Sequence, residues 1–189
     1  EIERTNIAAM NNLANSLKNT GQYLKADKLF QKIIKISPSY IQAYNNYANL
    51  KDLVNDVEGS IKLYNQALLI AREKKISPIV ILSHLAGAYH SLNKKKESIE
   101  IVNEILKNDP HNAEAHKALS SLIKYSKKNE ETMIHISRMK NILNGNNLED
   151  SQKGIISFAL GKAYDDLNDA DLAIKFLSCG NKIIQKIRG

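Results

Sequence analysis

Four aspartates, Asp165, Asp166, Asp169 and Asp171, fall within seven residues of the stretch LGKAYDDLNDADLAIKFL. Carboxylates at that density could hold a hard cation, and a calcium loop is the first chemistry to test. Such a loop needs spaced oxygen ligands, a glycine at the sixth place and a glutamate at the twelfth. Counted from Asp166, the sixth residue is Asp171 and the twelfth is Leu177, so the pattern fails. A turn between two helices fits better. Asp165 and Asp166 then close one helix, Leu167–Asp169 form the turn, Asp169 caps the next helix and Asp171 lies in its first turn. Asp165 and Asp166 oppose the dipole where they stand, which Lys162 offsets in part.

Other reactive side chains are dispersed. His84 and His90 are six apart and face different sides of a helix. His111 and His116 lie near a helix start with no third ligand close by, so packing or surface roles are expected. Cys179 is the single cysteine. It excludes a disulfide framework and a multi-cysteine zinc site, and mid-helix it is expected as a packed thiol. There is no glycine-rich phosphate loop and no serine nucleophile elbow. No catalytic residue, metal ligand or cofactor is assigned, and the chain is expected not to be an enzyme.

The elements that carry these residues follow from composition. Apolar residues are 43% of the 189 and charged residues 25%, the balance of a soluble globular protein. Three prolines and eight glycines are too few for the turns of a β-sandwich. Apolar residues recur three and four apart, as in Ala26, Leu29 and Ile33, so the chain reads as all-helical. No apolar run approaches a membrane span, and the opening Glu-Ile-Glu-Arg is not a signal peptide. A reduced cytoplasmic location is expected. The net charge of +7 is spread along the chain, and its densest cluster is only Lys94-Lys95-Lys96. That argues against nucleic acid as a partner.

An internal repeat organises the helices. Leu160-Gly161 leads to Tyr164 and then Ala173; Leu13-Ala14 to Leu17 and Ala26; Leu85-Ala86 to Tyr89 and Ser98; Leu119-Ser120 to Ile123 and Thr132. Tyr47-Ala48 leads to Ser60, with Lys51 at the middle place. The first small residue advances by 34, 38, 34 and 41 positions, and the second by the same intervals. This places insertions of about four residues near Lys75–Pro78 and about seven near Asn147–Lys153. Two antiparallel helices that cross closely admit only small side chains at the crossing. Four residues after the second small one stands a bulky plug: Phe30, Tyr64, Val102, Ile136 and Leu177. One helix pair cannot bury its apolar face alone, so neighbours must stack.

A unit of 34 residues with these small and large positions resembles the tetratricopeptide repeat (TPR). Pro38 and Pro110, closing second helices, fit as well. The departures are the missing tryptophan at the first large position, held by Met10, Tyr44, Leu82, His116 and Ser157, and Arg72 where the second unit would end in proline. The resemblance implies a right-handed all-α solenoid, or superhelix, of about five units. They fall at about 7–40, 41–74, 79–112, 113–146 and 154–187 of one domain spanning 1–189. Residues 1–6, with Ile2 in an apolar slot, would be the tail of a preceding repeat.

In that family the first helices line a concave surface. By register it carries Asn11, Asn12 and Asn15, then Asn45, Asn46 and Asn49. A primary amide both donates and accepts, so such a row can pair with a peptide backbone. Asn12 and Asn46 occupy equivalent places, similar to the asparagine ladder in the repeats of O-linked N-acetylglucosamine transferase. The carboxylate clamp of chaperone-binding repeats would fall on Asn11, Asn15, Asn46, Val80 and His84; its three basic places are not basic here, so that ligand is not expected. In the fourth and fifth units the groove positions include Lys117, Ser121, Lys124, Lys162 and Asp165. Of these, Lys117 and Lys124 are candidate contacts to an acidic ligand.

Residues 111–187 also resemble the region before the catalytic domain in bacterial proteins that fuse these repeats to a sulfotransferase. The motifs are His116 with Leu119-Ser120, His135 with Met139, and Phe158 through Tyr164 to Gly180-Asn181. The resemblance implies an accessory region whose catalytic domain, which would bind 3′-phosphoadenosine 5′-phosphosulfate, is not in this chain. Phe176, Leu177, Ile183, Ile184 and Ile187 are expected to leave an apolar terminal face, open to a downstream domain or to self-association. The expected function is a protein- or peptide-binding scaffold, with the sulfotransferase accessory role as the alternative.

Overall fold

A computed structural model describes residues 2–145 and 148–188, with side chains over 6–145 and 148–187. Ile2 and most of the expected 1–6 tail lie outside the described side chains, as does Asn147 of the second insertion. The described residues form ten helices and no strand. In chain order these are α1 (Ile2–Asn19), α2 (Tyr23–Ile36), α3 (Ile41–Leu53), α4 (Val57–Glu73), α5 (Ile79–Ser91), α6 (Lys95–Asn108), α7 (Ala113–Leu122), α8 (Glu130–Asn144), α9 (Asp150–Asp166) and α10 (Ala170–Arg188). They group into two compact units, 1–101 and 102–189.

The crossing residues behave as their size requires. Ala14, Ala26, Ala48, Ser60, Ala86, Ser98, Ser120, Thr132, Gly161 and Ala173 are all buried. The Ser98 hydroxyl donates to the Ala86 carbonyl at 2.9 Å, bonding one helix to its partner at the crossing. Four plugs, Phe30, Tyr64, Val102 and Ile136, are buried, whereas Leu177 is 39% exposed. In the first unit Phe30 stacks on Tyr47 in a core with Ile7, Ile33 and Leu50. In the second unit Met139, Ile156, Leu160 and Tyr164 centre the core. Lys51, out of pattern at its repeat position, lies 3.0 Å from Asp27 and 3.5 Å from Asp56.

Four of the five inter-helix turns share one geometry. Gly21, Asn55, Asn93 and Asn168 each follow the first small residue by seven and each has positive φ. Glycine and asparagine tolerate this left-handed conformation, which lets the next amide reach back to the helix end. In each turn that bond forms: Gln22 N–H to Leu17 O, Asp56 to Lys51, Lys94 to Tyr89 and Asp169 to Tyr164, at 2.8 to 3.0 Å. The following helices gain side-chain caps where the residue allows. Asp56 accepts from Gly59 N–H at 3.0 Å and Asp169 from Leu172 N–H at 3.1 Å.

The fourth unit departs from the register. Its first helix ends at Leu122, because Ile123 adopts extended backbone. Ile123 and Lys124 were expected on that helix and instead lead into the connection to α8. The freed backbone finds partners on α9. Lys162 Nζ donates to Ile123 O at 2.5 Å, and Tyr125 N–H donates to Asp166 Oδ2 at 2.9 Å. Lys162 and Asp166 are themselves paired at 2.6 Å, and Lys162 lies over the Tyr125 ring. Asp166 at the end of α9 therefore anchors a neighbouring segment, which accounts for this carboxylate standing against its own helix dipole.

On α10 the expected apolar face is only partly open. Phe176 stacks on Tyr164 with ring centroids 5.5 Å apart. Ile183 and Ile184 pack at the position of Gly154 on α9. Ile174, Leu177 and Ile187 are exposed. Cys179 is exposed too, which corrects the expectation of a packed thiol: it points away from the stripe that α10 lays on α9.

Candidate binding cleft on the first helices of residues 1–101

The asparagines expected in the groove divide into those that join helices and those that face solvent. Asn46 Nδ2 on α3 donates to Asn11 Oδ1 on α1 at 3.1 Å. One unit further, His84 Nδ1 on α5 stands 3.0 Å from Asn45 Oδ1 on α3. In both, the fifth residue of one repeat meets the sixth of the next, so the amide row links successive first helices. Asn11 is buried by this arrangement, while Asn12, one residue on, is exposed. Asn15 is partly buried, with no hydrogen-bond partner for Oδ1. In the other unit Lys117 is exposed beside Glu114 at 3.6 Å, and exposed Lys124 lies beyond the end of α7.

Beside the row lies a cleft of about 370 Å³. Its lining includes Asn49 and Asp52 from α3, Tyr64 from α4, and Ser83, His84 and Ser91 from α5. Tyr64 is buried, and its hydroxyl lies 2.8 Å from Asp52 Oδ2 and 2.5 Å from Asn49 Oδ1. A phenol has one proton to donate. The carboxylate is the stronger acceptor, so Tyr64 donates to Asp52 and the Asn49 amide turns its NH2 to the phenol oxygen. Burial, followed by the Asp52 carboxylate, raises the Tyr64 phenol well above its ordinary range, so it stays a donor. His84 is pushed below the ordinary histidine range by burial. Asp52 opposes that shift and Lys18 on α1 adds to it. Neutral His84 then donates through Nδ1 to Asn45 and keeps Nε2 as an acceptor. The Asp52 Oδ1 atom is sequestered and has no hydrogen-bond donor among the described residues.

Asn49 was legible as a groove residue. Tyr64 was legible only as a plug, and Asp52 and Ser83 were not singled out. Asp52 lies three residues after Asn49 on α3, the helical spacing that would have placed it on the same face.

In the second unit two histidines far apart in sequence meet. His116 on α7 and His135 on α8 are buried, with His116 Nδ1 2.9 Å from His135 Nε2. His116 Nε2 is 2.9 Å from Pro110 O, and the Tyr125 hydroxyl is 2.7 Å from His135 Nδ1. A carbonyl only accepts, so the direction is set: Tyr125 donates to His135, His135 to His116, and His116 to Pro110. Nineteen residues separate the two histidines in sequence, which hides the contact. Among the described residues no three His, Cys, Asp or Glu side chains gather as a metal site.

Paired helices with small crossing residues and a polar face along their first helices define an all-helical repeat fold. The tetratricopeptide repeat family model matches residues 7–40 and 80–112. Solved structures agree in fold. BtubC (BKLC) from P. vanneervenii is 17% identical with a TM-score of 0.72, covering 95% of this chain and 80% of that one. YrrB, described as a TPR protein with an unusual peptide-binding site, is 13% identical with a TM-score of 0.65, covering 92% and 84%. MamA from Desulfovibrio magneticus RS-1 is 9% identical with a TM-score of 0.66, covering 95% and 96%. No curated protein matches the sequence. No helix among the described residues is long and apolar enough to cross a membrane.

Proposed function

We propose that the chain is a non-catalytic, cytoplasmic scaffold that binds a protein or peptide along the first helices of residues 1–101. The observation that carries this reading is the amide row of Asn11, Asn46, Asn45 and His84 beside a polar cleft of about 370 Å³. The paired groups hold the surface rigid before a ligand arrives, which lowers the ordering cost of binding. Asn12 offers an exposed amide, and Asn15 and Asn49 lie at the same repeat position in consecutive units. An extended backbone laid across them would exchange hydrogen bonds independently of its side chains.

The test is affinity for peptides by anisotropy. An Asn12→Ala change should weaken binding about threefold to tenfold, the loss of roughly one net hydrogen bond, with the fold intact. Unchanged affinity would remove Asn12 from the surface. Asn46→Ala is a poorer probe, since it also breaks the bond to Asn11. The fold of YrrB, whose description names a peptide-binding site, supports the class of ligand. The sulfotransferase accessory role rests on sequence resemblance alone.

A further inference from the structure

We infer that Asp52 makes the cleft selective for a basic side chain, so that the bound peptide places a lysine or arginine head group at Asp52 Oδ1. This rests on the peptide-binding reading above and names what the same site prefers.

Asp52 Oδ2 is taken by the Tyr64 hydroxyl at 2.8 Å, but Oδ1 is shielded and no donor among the described residues reaches it. A carboxylate oxygen removed from water without a donor is unfavourable, and an incoming N–H restores what it lacks. Asn15 Oδ1 is also unpaired, yet an amide can turn its NH2 outward, and a carboxylate cannot. Among the described residues, Asp52 is the only charged one lining the cleft. Around it, Asn49, Ser83 and Ser91 supply oxygens, and neutral His84 supplies an acceptor nitrogen. A wall of acceptors around one anion suits an ammonium or guanidinium and disfavours a carboxylate ligand. Tyr64 already occupies Oδ2, so a guanidinium would engage one oxygen, not both, and lysine should serve almost as well as arginine. Lys18 is the opposing charge, near enough to lower the His84 proton affinity but not part of the cleft lining. Its removal should strengthen binding.

The experiment uses the whole chain and four randomised nonapeptide pools, each with a fixed central arginine, lysine, norleucine or glutamate, read by fluorescence anisotropy at two salt concentrations. The arginine and lysine pools should bind about tenfold more tightly than norleucine at low salt, and the glutamate pool more weakly. Asp52→Asn should abolish the preference, bringing the arginine and lysine pools level with norleucine. The amide oxygen still accepts from Tyr64, and unchanged circular dichroism would confirm the fold. Lys18→Gln should raise affinity for the basic pools only. Equal binding of the arginine, lysine and norleucine pools would mean that the shielded Oδ1 is closed to the ligand; the inference would fall while the groove reading stood. Binding of no pool would overturn both.

Discussion

The Tyr125–His135–His116–Pro110 chain sets both a protonation pattern and a pH dependence. The bond directions require His116 and His135 to carry their protons on Nε2, and His84 on Nδ1. Nitrogen-15 imidazole spectra at neutral pH should show two ε tautomers and one δ tautomer for these residues; any other assignment would break the chain as described. Burial, reinforced by His116 and Arg138, holds His135 down to about 4 from an ordinary 6.5. Burial also lowers His116, with Arg138 and His111 adding to it and Pro110 O and Asp109 opposing. Above about pH 6.5 neither state takes up the proton, and these groups contribute no pH dependence. Between about 6.5 and 4 the unfolded chain is protonated while the folded one resists, so stability falls with pH. His135 alone should account for a loss on the order of 3 kcal/mol across that window. Urea unfolding at pH 7 and pH 4.5 should show it, and His135→Phe should flatten the slope although its baseline is lower. Asp166 acts in a lower window. Burial pushes its carboxyl up, but Lys162 and the Tyr125 amide outweigh that and leave it below the usual range. Its stabilisation is present above about pH 4 and is lost as pH falls further.

Among the elements, the α9–α10 pair gives a direct test of the crossing argument. A Cβ on Gly161 would meet Leu177 Cδ2 at 2.6 Å, whereas one on Gly154 would meet Ile183 and Ile184 at ordinary contact distances of 3.5 and 3.6 Å. Gly154→Ala should therefore gain up to about 1 kcal/mol from helix propensity. Gly161→Val should lose roughly 1–3 kcal/mol through overpacking. Thermal midpoints of the two variants should move in opposite directions, and equal shifts would mean that the helices do not cross where the repeat register places them. The pinned segment after α7 has its own test. Asp166→Ala removes the acceptor of the Tyr125 amide and the partner of Lys162, which should cost roughly 1–3 kcal/mol. Faster amide hydrogen exchange at Tyr125 would localise the effect.

For the whole molecule, one repeat domain over 1–189 stands as a proposal alongside two compact units, 1–101 and 102–189. The exposed Ile174, Leu177 and Ile187 on α10 support association with a second copy. Light scattering should then show mass rising with concentration, and Leu177→Lys should suppress the rise. A strict monomer at high concentration would remove α10 as a self-association surface.

Outside the fourth unit, the helix pairs, their register and their turns were written in local spacing. A residue that must fit where two helices cross can only be small, and a left-handed turn strongly favours glycine or asparagine, so both recur at readable intervals. Asn49 was legible for the same reason, since helical periodicity assigns a face. What periodicity does not carry is who meets whom across helices. Asn11 reaches Asn46, His84 reaches Asn45, His116 reaches His135, and Asp166 draws in the backbone of Tyr125. These contacts join residues 19 to 41 positions apart. Tertiary packing chose them, because it decided which polar atoms lost water and therefore had to find one another.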